Sequence, residues 1–317
     1  MLNLPEALTV VTTTGQADKA STNGSGSPLA TEISHAAAGC IESTDPEQVH
    51  QLRVATRRMQ SVLAVAQAAD HTGVDHLIDE SKWLMGAMST ARDADVLLQT
   101  VEQVATKRGE GFAATLTPLV RSLRNTANLA RAGARRSLQS KRFQSFIQDL
   151  TALERSFSPS PDEGQDDKLA AFSTALVSLG DEHKRMTKRA RKAIASGSPQ
   201  DLHRMRIAVK RTRYGLELLA NHRPAAAKDQ LRNLRRLQDL LGEINDLYVA
   251  ADRVTELSER NLDKWDRESL RNAGMLRSDL VRRATRRQGK VPEKQAVTRG
   301  KVWRRTIKVL TRELYSS

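Results

Sequence analysis

Apolar residues recur along most of the chain three and four positions apart, which is the period of one helix face. The stretch from Leu202 to Tyr214 shows the pattern best. Leu202, Met205, Ala208 and Val209, continued by Leu216 and Leu219, fall on one broad arc. His203, Arg206, Lys210 and Arg213 fall on another, about 80° wide at about 100° per residue. The same periodicity predicts helices over 31–42, 46–69, 74–107, 112–140, 142–155, 169–196, 199–221, 226–260, 262–287 and 301–315. Asp45 and Ser198 are expected N-caps, each followed by a proline at the first helical position. Gly109 to Gly111, Gly197 and the run Gly289 to Gly300 are expected breaks or loops. No stretch reads as a strand, so the expected fold class is all-α.

The charged pattern occurs twice. His50, Arg53 and Arg57 repeat the spacing of His203, Arg206 and Lys210, with Leu52, Ala55, Met59, Val62 and Leu63 on the apolar side. The two histidines are 153 positions apart (203 − 50 = 153), and that offset also pairs Lys82 with Arg235, Leu84 with Leu237, Asp93 with Asp246 and Val96 with Val249. Two separate blocks sharing one offset define a duplicated unit. The expected organisation is a flexible tail over 1–29, a first helical half over 30–156, a linker over 157–168 rich in Pro, Gly and acids, and a second half over 169–317.

Composition narrows the picture. Aromatics are 3% of the chain against 39% hydrophobic residues, so the core must be built from Leu, Val, Ala and Met, which suits helix-on-helix packing. No run approaches the roughly 20 apolar residues that span a bilayer, and the N-terminus does not resemble a secretory signal. A single cysteine, Cys40, excludes an intramolecular disulfide and fits a reducing, cytoplasmic compartment. The net charge is +14 and uneven. Lys184 to Arg213 holds eleven Lys/Arg against Asp201 alone, and Arg282 to Arg305 holds ten against Glu293 alone. Such a field attracts polyanions without choosing among them.

The blocks VHQLRVATRR and LHRMRIAVKRTRY, with KWL…ARDADV and RRLQDLLGEINDL, resemble the CHAD domain family from about residue 30 to the C-terminus. The resemblance implies two antiparallel helical bundles related by pseudo-two-fold symmetry, with a central basic cavity that binds inorganic polyphosphate. It also implies association with polyphosphate granules in a bacterial cytoplasm. Some relatives carry a triphosphate-hydrolysing domain with an ExExK signature, which does not occur here, so a non-catalytic binder is expected.

A phosphate polymer offers closely spaced charge and acceptor oxygens but no ring to stack on. Arginine meets it with a rigid two-pronged fork and lysine with a point charge. The candidate ligand residues are His50, Arg53, Arg57, Arg58 and Lys82 in the first half. In the second they are Lys188, Arg189, His203, Arg206, Lys210, Arg211, Arg213 and Arg235, with Lys184, Arg185, Arg191 and Lys192 as an extension. Arg58 and Arg211 lie about 80° round from their histidines and are expected to flank the groove. His50 and His203 stand as phosphate contacts, as core residues or, less simply, as metal ligands meeting across the symmetry axis. His71 and His76 are expected near a turn. Asp93 and Asp246 are expected to accept hydrogen bonds from the motif arginines rather than to act in catalysis. No cofactor or metal is expected. The competing function is nucleic-acid binding through the same basic surface, although the scarcity of aromatics argues against base stacking.

Overall fold

The computed structural model describes residues 29–43, 45–68, 73–156, 165–220 and 224–312, and every regular element among them is helical. In chain order these are α1 (Leu29–Glu42), α2 (Pro46–Ala68), α3 (Val74–Thr106), α4 (Glu110–Thr115), α5 (Thr117–Leu138), α6 (Lys141–Ser156), α7 (Gln165–Ser196), α8 (Pro199–Ala220), α9 (Pro224–Arg260), α10 (Arg267–Gln288), α11 (Val291–Ala296) and α12 (Lys301–Thr311). The expected tail, most of the linker, His71 and the predicted helix ends at Ala69, Asn221 and Tyr315 lie outside the described residues.

The two motif helices start as the sequence leads one to expect. Asp45 Oδ1 accepts from Glu47 N at 2.9 Å, and Ser198 Oγ accepts from Asp201 N at 3.2 Å, each satisfying an amide with no partner inside the helix. Between α7 and α8 the chain turns at Gly197, whose φ of 63° suits a residue without a side chain. A Cβ there would also stand 2.7 Å from Gln288 Nε2, which donates to the Gly197 carbonyl at 3.1 Å.

The chain forms two compact units, one of residues up to 98 with 123–168, the other of 99–122 with 169–317. The first core gathers Ile33, Leu52, Met59, Leu63, Leu84, Met88, Phe146 and Leu150. The second gathers Met186, Met205, Val209, Leu216, Leu237, Leu241, Ile244, Trp303 and Leu310. Positions matched by the offset share burial: Leu52 and Met205, Leu84 and Leu237, Met88 and Leu241, Leu63 and Leu216 are all within the cores.

The division differs from a simple cut at the linker, because residues 99–122 pack with the second unit. Ser269 Oγ donates to the Thr115 carbonyl and Asn272 Nδ2 to Thr115 Oγ1, both at 2.9 Å, while Arg108 pairs with the buried Asp279 at 2.9 Å. Helix boundaries also moved: α7 begins at Gln165 rather than at residue 169. Two further shifts have a visible cause. The single helix expected over 112–140 is broken at Leu116, since Pro118 has no N–H to give the Ala114 carbonyl and the Thr117 hydroxyl takes that bond at 2.6 Å. The helix expected from residue 262 begins at Arg267, where Asp266 accepts from Ser269 N at 2.8 Å as N-cap.

Candidate functional site: two basic helix rows

In the second unit α8 lies against α9, and its basic row reads in order against one edge of that helix. His203 Nδ1 stands 3.0 Å from Asn245 Oδ1. Arg206 Nε lies over Gly242, where a Cβ would come within 3.9 Å of it. Arg213 Nε donates to Gln238 Oε1 at 3.0 Å. Arg213 and Arg235 both donate to Glu217 Oε1, at 2.9 and 3.0 Å. The row therefore runs along the seam between two antiparallel helices. Arg206, Lys210 and Arg213 are half-buried there, while His203, Arg211 and Arg235 are exposed.

The second-unit row is held in place by uncharged groups and by Glu217. Tyr214 lies under the Arg213 guanidinium at 4.5 Å and 5.6 Å from Lys210 Nζ, both cation–π distances. Asn245 Nδ2 makes a long 3.5 Å contact with Asp246 Oδ1, which turns the amide oxygen toward His203. Arg206 Nε is buried and makes no hydrogen bond, so part of its donor capacity is unused. Burial raises the carboxyl pKa of Asp239 beside this row, against the opposing pull of Arg213.

On α7, Lys188 and Arg189 are exposed, while Lys184 and Arg185 pair with Asp181 and Glu182 one turn earlier at 3.1 and 2.8 Å. Lys192 reaches Asp201 at the start of α8 at 3.4 Å. The Asp201 carboxyl is held below its ordinary range, chiefly by the Ser196 hydroxyl.

The first unit repeats the arrangement with different partners. Arg53 Nη1 donates to Ser89 Oγ on α3, and Ser89 occupies the position matched to Gly242 (89 + 153 = 242). Arg57 is half-buried and His50 exposed. Arg58 pairs with Glu32 on α1 at 2.6 Å, both side chains half-buried, so it ties α2 to α1. Lys82 is exposed and pairs with Asp79 at 2.7 Å.

Asp93 is exposed and, among the described residues, takes no hydrogen bond from a motif arginine. An acid of α3 that does receive an arginine is Asp95, two positions on. Its side chain is fully buried, and Arg131 reaches its Oδ1 through Nε at 2.9 Å and Nη2 at 2.5 Å. Cys40 lines the same small cleft, and burial pushes its thiol up to about 11, well out of the reactive range.

Sequence reading singled out neither Asp95 nor Glu217. Glu217 stands four residues after Arg213, a spacing that marks an intrahelical ion pair. Asp95 offers no such local cue, because its partner is on another helix. Among the described residues no group of three His, Cys, Asp or Glu is placed to hold a metal ion, and no helix is long and apolar enough to cross a membrane.

What the geometry defines is an all-helical protein with cationic rows set along helix seams. The CHAD domain model matches residues 29–255, and the chain belongs to the CHAD domain family. Among solved structures it is similar to the crystal structure of the CHAD domain from the plant Ricinus communis, at 24% identity and a TM-score of 0.59 over 99% of this chain and 92% of that one. It is also similar to PptA from Streptomyces chartreusis, at 16% identity and a TM-score of 0.59 over 85% of this chain and 98% of that one. No curated protein sequence matches it.

Proposed function

We propose that the protein binds inorganic polyphosphate through the rows of α2 and α8, with Lys82, Arg235 and the α7 cations Lys188 and Arg189 as further contacts, and that it does so without turning the polymer over. Membership of the CHAD family supports this reading. The observation that carries it is the state of the α8 row. Its cations sit half-buried along a seam, oriented by Gln238, Tyr214 and Glu217, and Arg206 keeps a buried donor unused. Gathering cations on one helix face is costly for stability by itself, because like charges at helical spacing repel by a few tenths of a kcal/mol per pair. In this reading Asp246 fixes the His203 side through Asn245, and the protein associates with polyphosphate granules.

Competition distinguishes polyphosphate from nucleic acid. Long-chain polyphosphate is expected to displace bound duplex DNA at a phosphate concentration at least about tenfold below that at which DNA displaces polyphosphate, both at about 0.15 M salt, where diffuse attraction is screened within roughly 8 Å. Equal competition phosphate for phosphate overturns the proposal in favour of a general polyanion surface.

A further inference from the structure

Throughout the second unit, exposed cations are commonly matched by an acid one turn away on the same helix. The ion pairs Lys184–Asp181, Arg185–Glu182, Arg232–Asp229, Arg260–Glu256 and Arg282–Asp279 all follow this rule. Lys188 and Arg189 on α7, and Arg206, Lys210 and Arg211 on α8, have no acid at those positions. These are among the cations proposed to meet the ligand.

Helix α12 shares the signature. Lys301, Arg304, Arg305 and Lys308 form one stripe, all four are exposed, and no acid stands three or four positions from any of them. None makes an ion pair among the described residues. The stripe runs about 10 Å at 1.5 Å per residue.

The opposite face of α12 is occupied. Trp303, Thr306 and Leu310 are buried, and His183 of α7 stacks on Trp303 with centroids 3.6 Å apart and planes 4° from parallel. The helix therefore has no apolar face left to insert between lipids, which removes the membrane-surface reading of a basic amphipathic helix. Its aromatic ring is buried too, so it offers no platform for stacking a base. What remains is charge attraction to a polyanion backbone.

The stripe is also separate from the motif row. Helix α9 holds α8 along the edge of Arg235 and Gln238. It holds the segment leading into α12 through Gln230 Nε2 to the Thr298 carbonyl at 2.7 Å and Asn233 Nδ2 to the Val297 carbonyl at 3.4 Å. Those two residues lie roughly 140–160° round α9 from Arg235. The CHAD domain match ends at residue 255, before α12 begins.

We propose that the α12 stripe is a second contact for the same phosphate polymer, engaged only by chains long enough to reach it from the α8 row. The inference rests on the polyphosphate reading above. A chain bound at the motif holds its remaining length near α12 at high local concentration, so a weak, unstructured contact adds avidity for long chains and nothing for short ones.

The test uses the full chain with polyphosphates of about ten and about a hundred phosphates, at about 0.15 M salt. The variant Lys301→Gln/Arg304→Gln/Arg305→Gln/Lys308→Gln is expected to weaken long-chain binding at least about tenfold and to leave short-chain binding within about twofold. The pair Arg304→Gln/Lys308→Gln should lose about half as much on a logarithmic scale, and it serves if the fourfold variant does not keep the wild-type helix content. A charge-matched control, Lys228→Gln/Lys264→Gln/Arg271→Gln/Arg277→Gln, removes exposed cations elsewhere in the unit and should change neither length.

Equal loss in the control, equal loss for both lengths, or no loss for the long chain overturns the inference. So does loss of duplex DNA binding alone. If the wild-type protein binds neither polyphosphate, the polyphosphate reading itself has failed.

Discussion

The two motif regions share a plan and differ in what holds it. In the first unit Arg53 is hydrogen-bonded by Ser89, Arg58 is drawn off to Glu32, and the position matched to Glu217 is Ala64. In the second unit Gly242 leaves Arg206 without that hydroxyl, and Glu217 draws Arg213 and Arg235 together. The other stitches differ in the same way. Asp95 with Arg131 in the first unit corresponds to Tyr248 with Gln288 in the second, a neutral bond of 3.3 Å (95 + 153 = 248). A basic row thus recurs in both units while its supports differ. Around the motif, the first unit uses Glu32 and Asp95 to tie helices together, and the second uses Glu217 to orient cations.

The largest expected effect tests whether the rows act together. Arg53→Ala with Arg206→Ala should abolish measurable polyphosphate binding, and Arg206→Ala alone should cost more than Arg53→Ala alone, because Arg206 has donor capacity to spare. Helicity and melting temperature should stay near wild type, and a large drop in melting would mark the arginines as structural instead. Next in size is Asp95→Ala, which leaves Arg131 facing a low-dielectric site without its partner. It should destabilise the protein by about 3 kcal/mol in denaturant unfolding. Its counterpart Tyr248→Phe should cost about 1 kcal/mol or less.

Gly242→Ser transplants the hydroxyl of the first unit into the second. It is expected to raise the melting temperature slightly and weaken polyphosphate binding severalfold, by occupying Arg206. Glu217→Gln is a sign test. It removes one negative charge, so a charge-only account predicts tighter binding, whereas loss of the Arg213–Glu217–Arg235 bridge predicts binding a few-fold weaker in the same titration.

The smallest effect concerns pH. Burial lowers the pKa of His183, which accepts stacking from Trp303 and lies 3.3 Å from the Thr298 carbonyl. The folded state then holds fewer protons than the unfolded one across the ordinary imidazole range. The stability it contributes is complete above that range and is lost as the pH falls through it. Melting of the wild type should decline modestly between about pH 7.5 and 5.5, and His183→Phe should flatten that decline.

Much of this could be read from the chain because it is local or repeated. The caps at Asp45 and Ser198, the apolar stripes and the offset of 153 are properties of short windows or of their comparison. The four residues of the α8 row share a face for the same reason. What escaped depends on distant partners. Asp95 looks like any acid in a helix until Arg131 arrives from α5, while Asp93, picked because it has a matched partner at Asp246, remains in solvent. The packing of 99–122 with the second unit was equally hidden, since the helical pattern of α3 runs through residue 98 without a change. The small helix α11 sits in what reads as a glycine-bounded loop, and its buried Val291 and Gln295 mark it only after folding.

The most direct measurement is polyphosphate affinity as a function of salt for the wild-type protein. Neutralising several phosphates with the motif cations predicts tight binding whose logarithm falls linearly with the logarithm of salt, with a slope near one unit per phosphate neutralised and markedly shallower in Arg53→Ala and Arg206→Ala. Binding that is absent at about 0.15 M salt, or a slope the two substitutions leave unchanged, would contradict the account.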